Sequence, residues 1–262
     1  MVAGVRDTTP LKRALRREGF SVHLIHNGFS AREQRYSCLV RALAGHRKAW
    51  EFCAGQEGLS MVVEDDFVPV VGMGGLSLPF DPADAASAWG WLYAGSPRLQ
   101  HVNHEGRACG GCAAPVATIV GPRLAGELRR FADQLLGEID CFQPYAWDAV
   151  VVERMAAAGF TSFLPYRNYG EHGGLPNPEH AMSGLRPTHR ADALYGPLHF
   201  VPEYAQGGWF RYLKERARGR VTGWGRLLLG VYLSPGTLAR LGSAREALRY
   251  LWFSTSRLIS VH

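Results

Sequence analysis

The chain has 262 residues, of which 47% are hydrophobic and 20% charged, and its formal net charge is +6 at pH 7; these proportions exclude a disordered chain and are typical of a globular protein. No run reaches the roughly 18 to 20 consecutive apolar residues that span a bilayer, so we expect no membrane-spanning helix. Because the basic N-terminal stretch lacks the apolar core of a secretory signal, we expect a cytoplasmic protein.

The first quarter of the chain alternates between predicted strands and helices. Pro10 at a first helical turn, and the capping box formed by Ser30 and Glu33, mark the two helix starts. The five elements, strand and helix in turn, are residues 2–5, 10–18, 21–25, 31–55 and 59–63. This β-α-β-α-β order predicts an α/β fold with a mainly parallel central sheet and helices on both sides.

The rest of the chain contains further elements and two irregular segments. Residues 71–111 are rich in Gly, Pro, Ser and Trp and are predicted to be loops with short strands. A strand, a helix begun by Pro122, a second helix and another strand are then predicted at residues 112–121, 121–136, 147–160 and 161–166. A polar loop rich in Gly and Pro follows at residues 167–190, and loops of this length are usually functional or mobile.

The basic excess lies at one end of the chain. Residues 209–262 carry ten Lys or Arg and two Glu, a local balance of +8, whereas residues 1–208 carry 19 basic and 21 acidic residues. We therefore divide the chain into an α/β domain of residues 1–208 and a basic, amphipathic helical extension of residues 209–262. Three interpretations of the extension stay open: a nucleic-acid surface, a helix on an anionic membrane, or a helix packed on the domain with solvated basic residues.

Three consecutive acidic residues, Glu64, Asp65 and Asp66, directly follow the buried third strand. Like charges repel, so this position favours a nearby cation over a merely solvated strand end. In parallel sheets, ligands collect beyond the carboxyl ends of the strands. Asp148 and His172 also lie at the ends of predicted elements, and carboxylates with an imidazole suit Mg²⁺ or Mn²⁺. The sequence therefore predicts a site for a divalent ion.

Residues 38–69, in which the pair Gly45-His46 precedes VVEDDFVP, resemble the region around the metal motif of GT-A-fold glycosyltransferases. The nearest likeness is to bacterial enzymes that build lipopolysaccharide and other envelope glycans, and it extends more loosely over residues 1–180. The resemblance implies a GT-A-like fold and a metal-dependent glycosyltransferase. Such an enzyme moves a sugar from a nucleotide diphosphate sugar to a hydroxyl of a saccharide or lipid-linked acceptor.

The resemblance also implies roles for individual residues. Asp66 would bind Mn²⁺ or Mg²⁺, and His172 would be a further metal ligand or a phosphate contact. Glu64 and Asp65 would contact the donor ribose or the water shell of the metal. If the reaction inverts the anomeric centre, Asp148 would be the general base that deprotonates the acceptor hydroxyl.

The other candidate site residues each have a second possible role. Arg6, Asp7 and Arg35 are candidates for nucleotide contact, with an ordinary surface role as the alternative. Asp148 is equally well placed to cap the helix that it opens, in which case Glu153 is the substitute base. The weaker metal-ligand candidates are two further histidines, His180 and His189.

The cysteines do not define a site by themselves. They number five and are irregularly spaced, which favours reduced thiols over disulfides. Cys109 and Cys112 form a CGGC motif. Three interpretations of this motif stay open: a zinc site, a redox pair, or a tight glycine turn with two incidental thiols.

Two other functions remain as alternatives. A metal-dependent nucleotidyltransferase uses the same carboxylate chemistry, and a non-catalytic scaffold protein would act through its basic segment. A lipid-linked acceptor would favour peripheral contact of residues 209–262 with the inner face of the membrane, and no nucleic-acid partner is expected.

Overall fold

The computed structural model describes residues 2, 3, 6–176, 189–232 and 235–259. The strands in these ranges are β1 Val2–Ala3, β2 Ile25–His26, β3 Ser60–Val63, β4 Phe67–Pro69, β5 Ala88–Trp91, β6 Arg98–Val102, β7 Ala108–Gly111, β8 Ala117–Val120, β9 Thr161–Leu164 and β10 Gly170–His172. The α-helices are α1 Thr9–Arg17, α2 Cys38–Ala54, α3 Pro122–Glu138, α4 Val151–Ala157, α5 Trp209–Leu228, α6 Pro235–Leu238 and α7 Ala244–Ser256.

The central sheet has six strands in the order β3-β8-β5-β9-β7-β6. Helices flank this sheet, which confirms the α/β class. The predicted mainly parallel order is wrong, because β5 and β9 run parallel while the other four pairings in the sheet are antiparallel. Strands β6 and β7 form a hairpin, and strands joined by such a short connection can pair only in the antiparallel sense.

The first two predicted strands lie outside the central sheet. β1 and β2 pair in parallel with each other as a separate two-stranded sheet. β4 and β10 form another two-stranded sheet, with an antiparallel register. Residues 170–172 are therefore a strand and not part of a loop, because their backbone pairs with β4. Residues 177–188 of the predicted loop lie outside the described residues.

The predicted second helix is shorter than expected. The capping box forms, since Ser30 N donates to Glu33 Oε2 at 2.7 Å and Glu33 N donates to Ser30 Oγ at 3.2 Å, but it opens a single 3₁₀ turn. Tyr36 then adopts an extended backbone. Ser37 provides a second cap by accepting a hydrogen bond from Val40 N, so α2 begins at Cys38.

Two clusters of buried side chains form the core. Trp89 and Trp91 of β5 lie in one cluster, with side chains of α2, α3 and α4. Ala88 of the same strand lies in the other, with side chains of α1. Because successive side chains of a strand point to opposite faces, the two clusters cover the two faces of the sheet.

Residues beyond position 208 also contribute to this core. Tyr232, Tyr250 and Phe253 belong to the same buried cluster as Trp89. Residues 209–259 are therefore packed, in part, against the central sheet. The division of the chain at residue 208 stays a prediction. Along the described parts of the chain, no helix is both long enough and apolar enough to cross a bilayer.

Candidate metal centre

The three acidic residues form the turn between β3 and β4. Glu64 extends the ladder of the central sheet by one step, because its N–H donates to Val116 O at 2.8 Å. The chain then reverses, with Phe67 N donating to Glu64 O at 3.2 Å, and enters β4. The buried side chains of Val63 and Phe67 fix both ends of the turn.

His172 reaches this turn through the pairing of β10 with β4. In the antiparallel register His172 lies opposite Phe67, and Gly173 N donates to Asp66 O at 2.8 Å. The imidazole therefore lies on the same side as the Asp66 carboxylate, and the two groups are in contact, with His172 Nε2 3.1 Å from Asp66 Oδ2. Glu171 points to the opposite side of the strand.

Glu64, Asp66 and His172 form a cluster in which the potential ligand atoms all lie within 4.8 Å of one another. Two of these residues come from the β3–β4 turn and the third from β10, about a hundred positions later in the chain. The structure thus brings together three of the predicted site residues. Their role as metal ligands stays a prediction.

Basic side chains lie against each of the acidic groups. Arg6 Nη1 is 2.9 Å from Asp65 Oδ1 and 3.0 Å from Asp66 Oδ2, and Arg6 Nε is 2.9 Å from Glu203 Oε2. The buried His46 has its Nε2 2.9 Å from Glu64 Oε1. The repulsion within the acidic turn is therefore partly offset by the chain itself.

These contacts determine the charge states of the pair. Burial disfavours the ionised form of Asp66, but His172 and Arg6 outweigh burial and hold the pKa of this carboxyl below its usual range. Burial likewise opposes protonation of His172, and the Asp66 carboxylate overrides it and raises the pKa of the imidazole. For Arg6, burial is outweighed by Asp66 and Asp65, so its pKa lies above the usual value.

The donor atoms of the cluster fit a small divalent ion. Asp66 Oδ1 and His172 Nδ1 are buried and have no hydrogen-bond partner among the described residues. Two carboxylates with one imidazole are ligands that Mn²⁺ and Mg²⁺ accept. Gly174 lines the cluster, and a Cβ atom there would lie 2.4 Å from Asp66 Oδ2, so a residue without a side chain is needed at this position.

A second set of contacts holds the backbone of β10. Glu171 is fully buried, its Oε2 is 2.7 Å from Arg216 Nη1 of α5, and its Oε1 accepts hydrogen bonds from Ala191 N and His172 N. Arg190 donates to His172 O at 2.9 Å and to Gly174 O at 3.1 Å. The main chain on both sides of His172 is therefore fixed.

The predicted base lies outside the cluster of Glu64, Asp66 and His172. Asp148 is in a 3₁₀ turn, where it makes no helix cap, and its Oδ2 accepts a hydrogen bond from Ala114 N at 2.8 Å. Ala114 has a φ of 62°, a strained value for a residue with a side chain. Asp148 therefore holds the loop before β8. Glu153, the substitute base, is exposed on α4.

The candidates for nucleotide contact separate into two groups. Arg6 lies directly beside Asp65 and Asp66. Asp7 is exposed, and its Oδ1 accepts from Thr9 N at the start of α1, a hydrogen bond that lowers the pKa of this carboxyl. Arg35 is exposed, with its guanidinium carbon 5.4 Å from the centre of the Phe142 ring. The nucleotide roles of all three stay predictions.

Sequence reasoning missed several residues that support the cluster. His46 lies inside the segment that carries the resemblance, so its position beside the acidic turn could have been found there. The contacts of Arg190 and Arg216 with β10 could not be predicted, because nothing in the neighbouring sequence distinguishes these two residues from solvated arginines. Among the weaker metal-ligand candidates, His189 lies outside the cluster, and His180 falls outside the described residues.

The CGGC motif does not take part in this centre. Cys109 and Cys112 are buried free thiols, and Cys109 lies in β7. Burial raises the pKa of Cys109 to about 11 and that of Cys112 to about 12. Both therefore stay protonated at neutral pH, and a thiol is a poor nucleophile and metal ligand. No group of metal-ligating side chains in the described ranges includes either residue.

The chain was compared with protein-family models, with curated proteins and with solved structures, and none of these comparisons found a match.

Proposed function

We propose that the protein is a metal-dependent glycosyltransferase with a GT-A-like nucleotide-sugar-binding domain. The observation that carries this proposal is the convergence of Glu64, Asp66 and His172 at the end of a buried strand. The substrates would be a nucleotide diphosphate sugar and a saccharide or lipid-linked acceptor with a free hydroxyl. The resemblance of residues 38–69 to the metal region of such enzymes supports the choice of this reaction over other metal-dependent ones.

In this proposal the acidic turn and β10 hold the ion. Asp66, Glu64 and His172 would bind Mn²⁺ or Mg²⁺, which supplies a Lewis acid for the charge that develops on the departing nucleoside diphosphate. His172 must give up its proton to act as a ligand. Asp65 orients Arg6, whose planar guanidinium is suited to bind a phosphate oxygen beside the cluster.

Asp148 is the proposed general base. The Ala114 N–H donates to the Asp148 carboxylate and fixes its orientation. The Asp148 side chain is half-buried, so it is still accessible. A carboxylate so held can accept the proton of an acceptor hydroxyl within hydrogen-bond reach, an effect worth about 10² to 10⁴ in rate. The strained backbone at Ala114 would then be a consequence of positioning this loop for the acceptor.

The decisive experiment is calorimetric titration of the full chain with UDP and with GDP, each with and without Mn²⁺. We expect one nucleotide to bind at least about tenfold more tightly when the metal is present. Asp66→Asn, which removes the charge of one ligand with little change in volume, should abolish this metal-dependent gain. His172→Gln provides a second variant if Asp66→Asn lowers the melting temperature.

A matched control separates the centre from general electrostatics. Asp133→Asn removes a carboxylate from the surface of α3, where it pairs with Arg47 and Arg129, and should leave nucleotide binding unchanged. Metal-dependent binding that survives in Asp66→Asn would exclude the assigned ligands. If no nucleotide binds under any condition, the result would favour a non-catalytic scaffold protein. Release of pyrophosphate in place of nucleoside diphosphate during turnover would identify a nucleotidyltransferase.

A further inference from the structure

Helix α5 carries a stripe of apolar side chains on its outward face. The stripe follows the three- and four-residue spacing of one helix face, and we call it the outer stripe: Phe210, Leu213, Ala217, Val221, Trp224 and Leu228. Phe210, Val221 and Leu228 have exposed fractions of 80%, 71% and 84%. These values leave the stripe uncovered along the whole helix. An apolar stripe of this length on a surface marks an interaction site.

The opposite face of α5 is polar and small, and it is the face that packs on the domain. Arg216, Gly219 and Gly223 are buried there. Arg216 Nη1 lies 2.7 Å from Glu171 Oε2, and a Cβ atom at Gly219 would lie 2.5 Å from Ala191 O. Rotating the helix to bury the outer stripe would break this ion pair. The outward direction of the stripe is therefore fixed by the fold.

Cationic side chains flank the outer stripe. Arg211, Lys214 and Arg218 are exposed on the same outward half of α5. Residues 209–262 as a whole carry ten basic and two acidic residues. A helix with an apolar stripe and basic flanks binds in the plane of a membrane interface, where the apolar side chains enter the acyl boundary and the cations meet anionic headgroups.

Helix α7 repeats the pattern next to α5. Leu248 and Trp252 share one face of α7 with the exposed Arg245, and their exposed fractions are 65% and 72%. The turn that follows this helix contacts α5, since Arg220 Nη1 donates to Leu258 O at 3.0 Å. Large aromatic residues with apolar neighbours are enriched at membrane interfaces. α7 therefore presents a second exposed apolar surface.

We propose that the outer stripe of α5 binds the surface of a membrane that contains anionic lipids, with the helix lying parallel to that surface. This proposal does not rest on the proposed function. A second copy of the chain is a poorer occupant, because a symmetric contact would bring Arg211, Lys214 and Arg218 of both copies together. The membrane would lie on the far side of α5 from Glu171, about one helix diameter away, or roughly 10 Å.

The test is flotation of the full chain with two kinds of lipid vesicle, pure phosphatidylcholine and phosphatidylcholine with about one third phosphatidylglycerol. We expect binding to the anionic vesicles, and at least about tenfold weaker binding when NaCl rises from about 0.1 M to about 0.5 M. The variant Phe210→Gln/Val221→Gln/Leu228→Gln should lower the partition coefficient by about tenfold or more.

Two controls make the result specific to the outer stripe. Val201→Gln changes a side chain that is 61% exposed elsewhere on the domain and should leave vesicle binding unchanged. Near-ultraviolet circular dichroism of the triple variant should match the parent, because the three side chains make little internal contact. Lys214→Gln/Arg218→Gln should weaken binding to anionic vesicles and leave binding to pure phosphatidylcholine unchanged.

Three outcomes would overturn the proposal. The first is no flotation with either vesicle. The second is equal binding of the parent and the triple variant, which would place the contact elsewhere. The third is a dimer in light scattering that the triple variant converts to monomer while vesicle binding is absent, which would assign the stripe to a second copy of this chain.

Discussion

Helices α3 and α5 are both amphipathic and similar in length, but they use their apolar faces in opposite ways. Leu124, Leu128 and Phe131 of α3 are buried against α2 and the sheet. The apolar face of α5 points outward, and its inward face is made of Arg216 and glycines. A periodic apolar pattern thus tells which face of a helix is apolar, and the packing of the opposite face decides whether that apolar face meets the core.

The difference also concerns what holds each helix in place. α3 is held by burial of apolar area, which is tolerant of small shifts and does not depend on salt. α5 is held mainly by polar contacts, among them the buried pair of Arg216 and Glu171, and by the close approach of its backbone to the domain at Gly219 and Gly223. Such contacts give little net free energy but fix orientation, and they fail sharply when one partner is removed.

The largest effect is expected at the buried ion pair. Arg216→Met would leave the fully buried carboxylate of Glu171 without its cation and should lower the free energy of unfolding by about 3–5 kcal/mol. The control is Arg218→Met, two positions further along α5 on its exposed half. It should change the free energy of unfolding by less than about 0.5 kcal/mol. Urea denaturation measures both. Equal effects of the two substitutions would contradict a fold-determining role for Arg216.

A direct comparison of the two apolar faces comes next. Leu128→Ala in α3 removes a fully buried side chain and should cost about 2–5 kcal/mol of unfolding free energy. Leu228→Ala in α5 removes one that is 84% exposed, and should change stability by less than about 0.5 kcal/mol. The same denaturation series measures the pair. A large loss in Leu228→Ala would mean that the outer stripe is covered in solution.

The smallest effects are expected at the glycines of α5. Gly219→Ala would place a methyl group 2.5 Å from Ala191 O and should destabilise the protein by about 1–3 kcal/mol. Gly225→Ala, where nothing lies within 4 Å of the added atom, should raise stability by about 0.5–1 kcal/mol because alanine favours the helix. Melting temperatures of Gly219→Ala and Gly225→Ala that shift in opposite directions would support close packing of the inward face of α5. Shifts in the same direction would argue against this close packing.

The sequence predicted the local features well, because they depend on neighbouring residues. The α/β class, the acidic turn after β3, the start of α3 at Pro122 and the strand β9 all follow from periodicity and capping signals. The order of the sheet was not predictable in this way. It depends on β8 entering between β3 and β5, and nothing in the sequence of any one strand specifies its neighbours.

The candidate site was predictable only in part for the same reason. Asp66 and His172 were identified as candidates from their positions at element ends. Arg6 pairs with Asp66, and Arg216 pairs with Glu171, the neighbour of His172. These partners are 60 and 45 positions apart in the chain and come together only when it folds. The outward orientation of α5 depends on one of these long-range contacts, so it could not be read from the helix alone.

The short pairing of β4 with β10 has a consequence for how this centre can vary in evolution. The pairing involves three residues on each strand, and successive side chains of β10 point to opposite sides. A shift of the register by one residue would exchange His172 with Glu171, placing a carboxylate beside Asp66 and an imidazole beside Arg216. A protein that keeps this centre must therefore keep the register of β4 and β10, and it must keep a residue without a side chain at position 174.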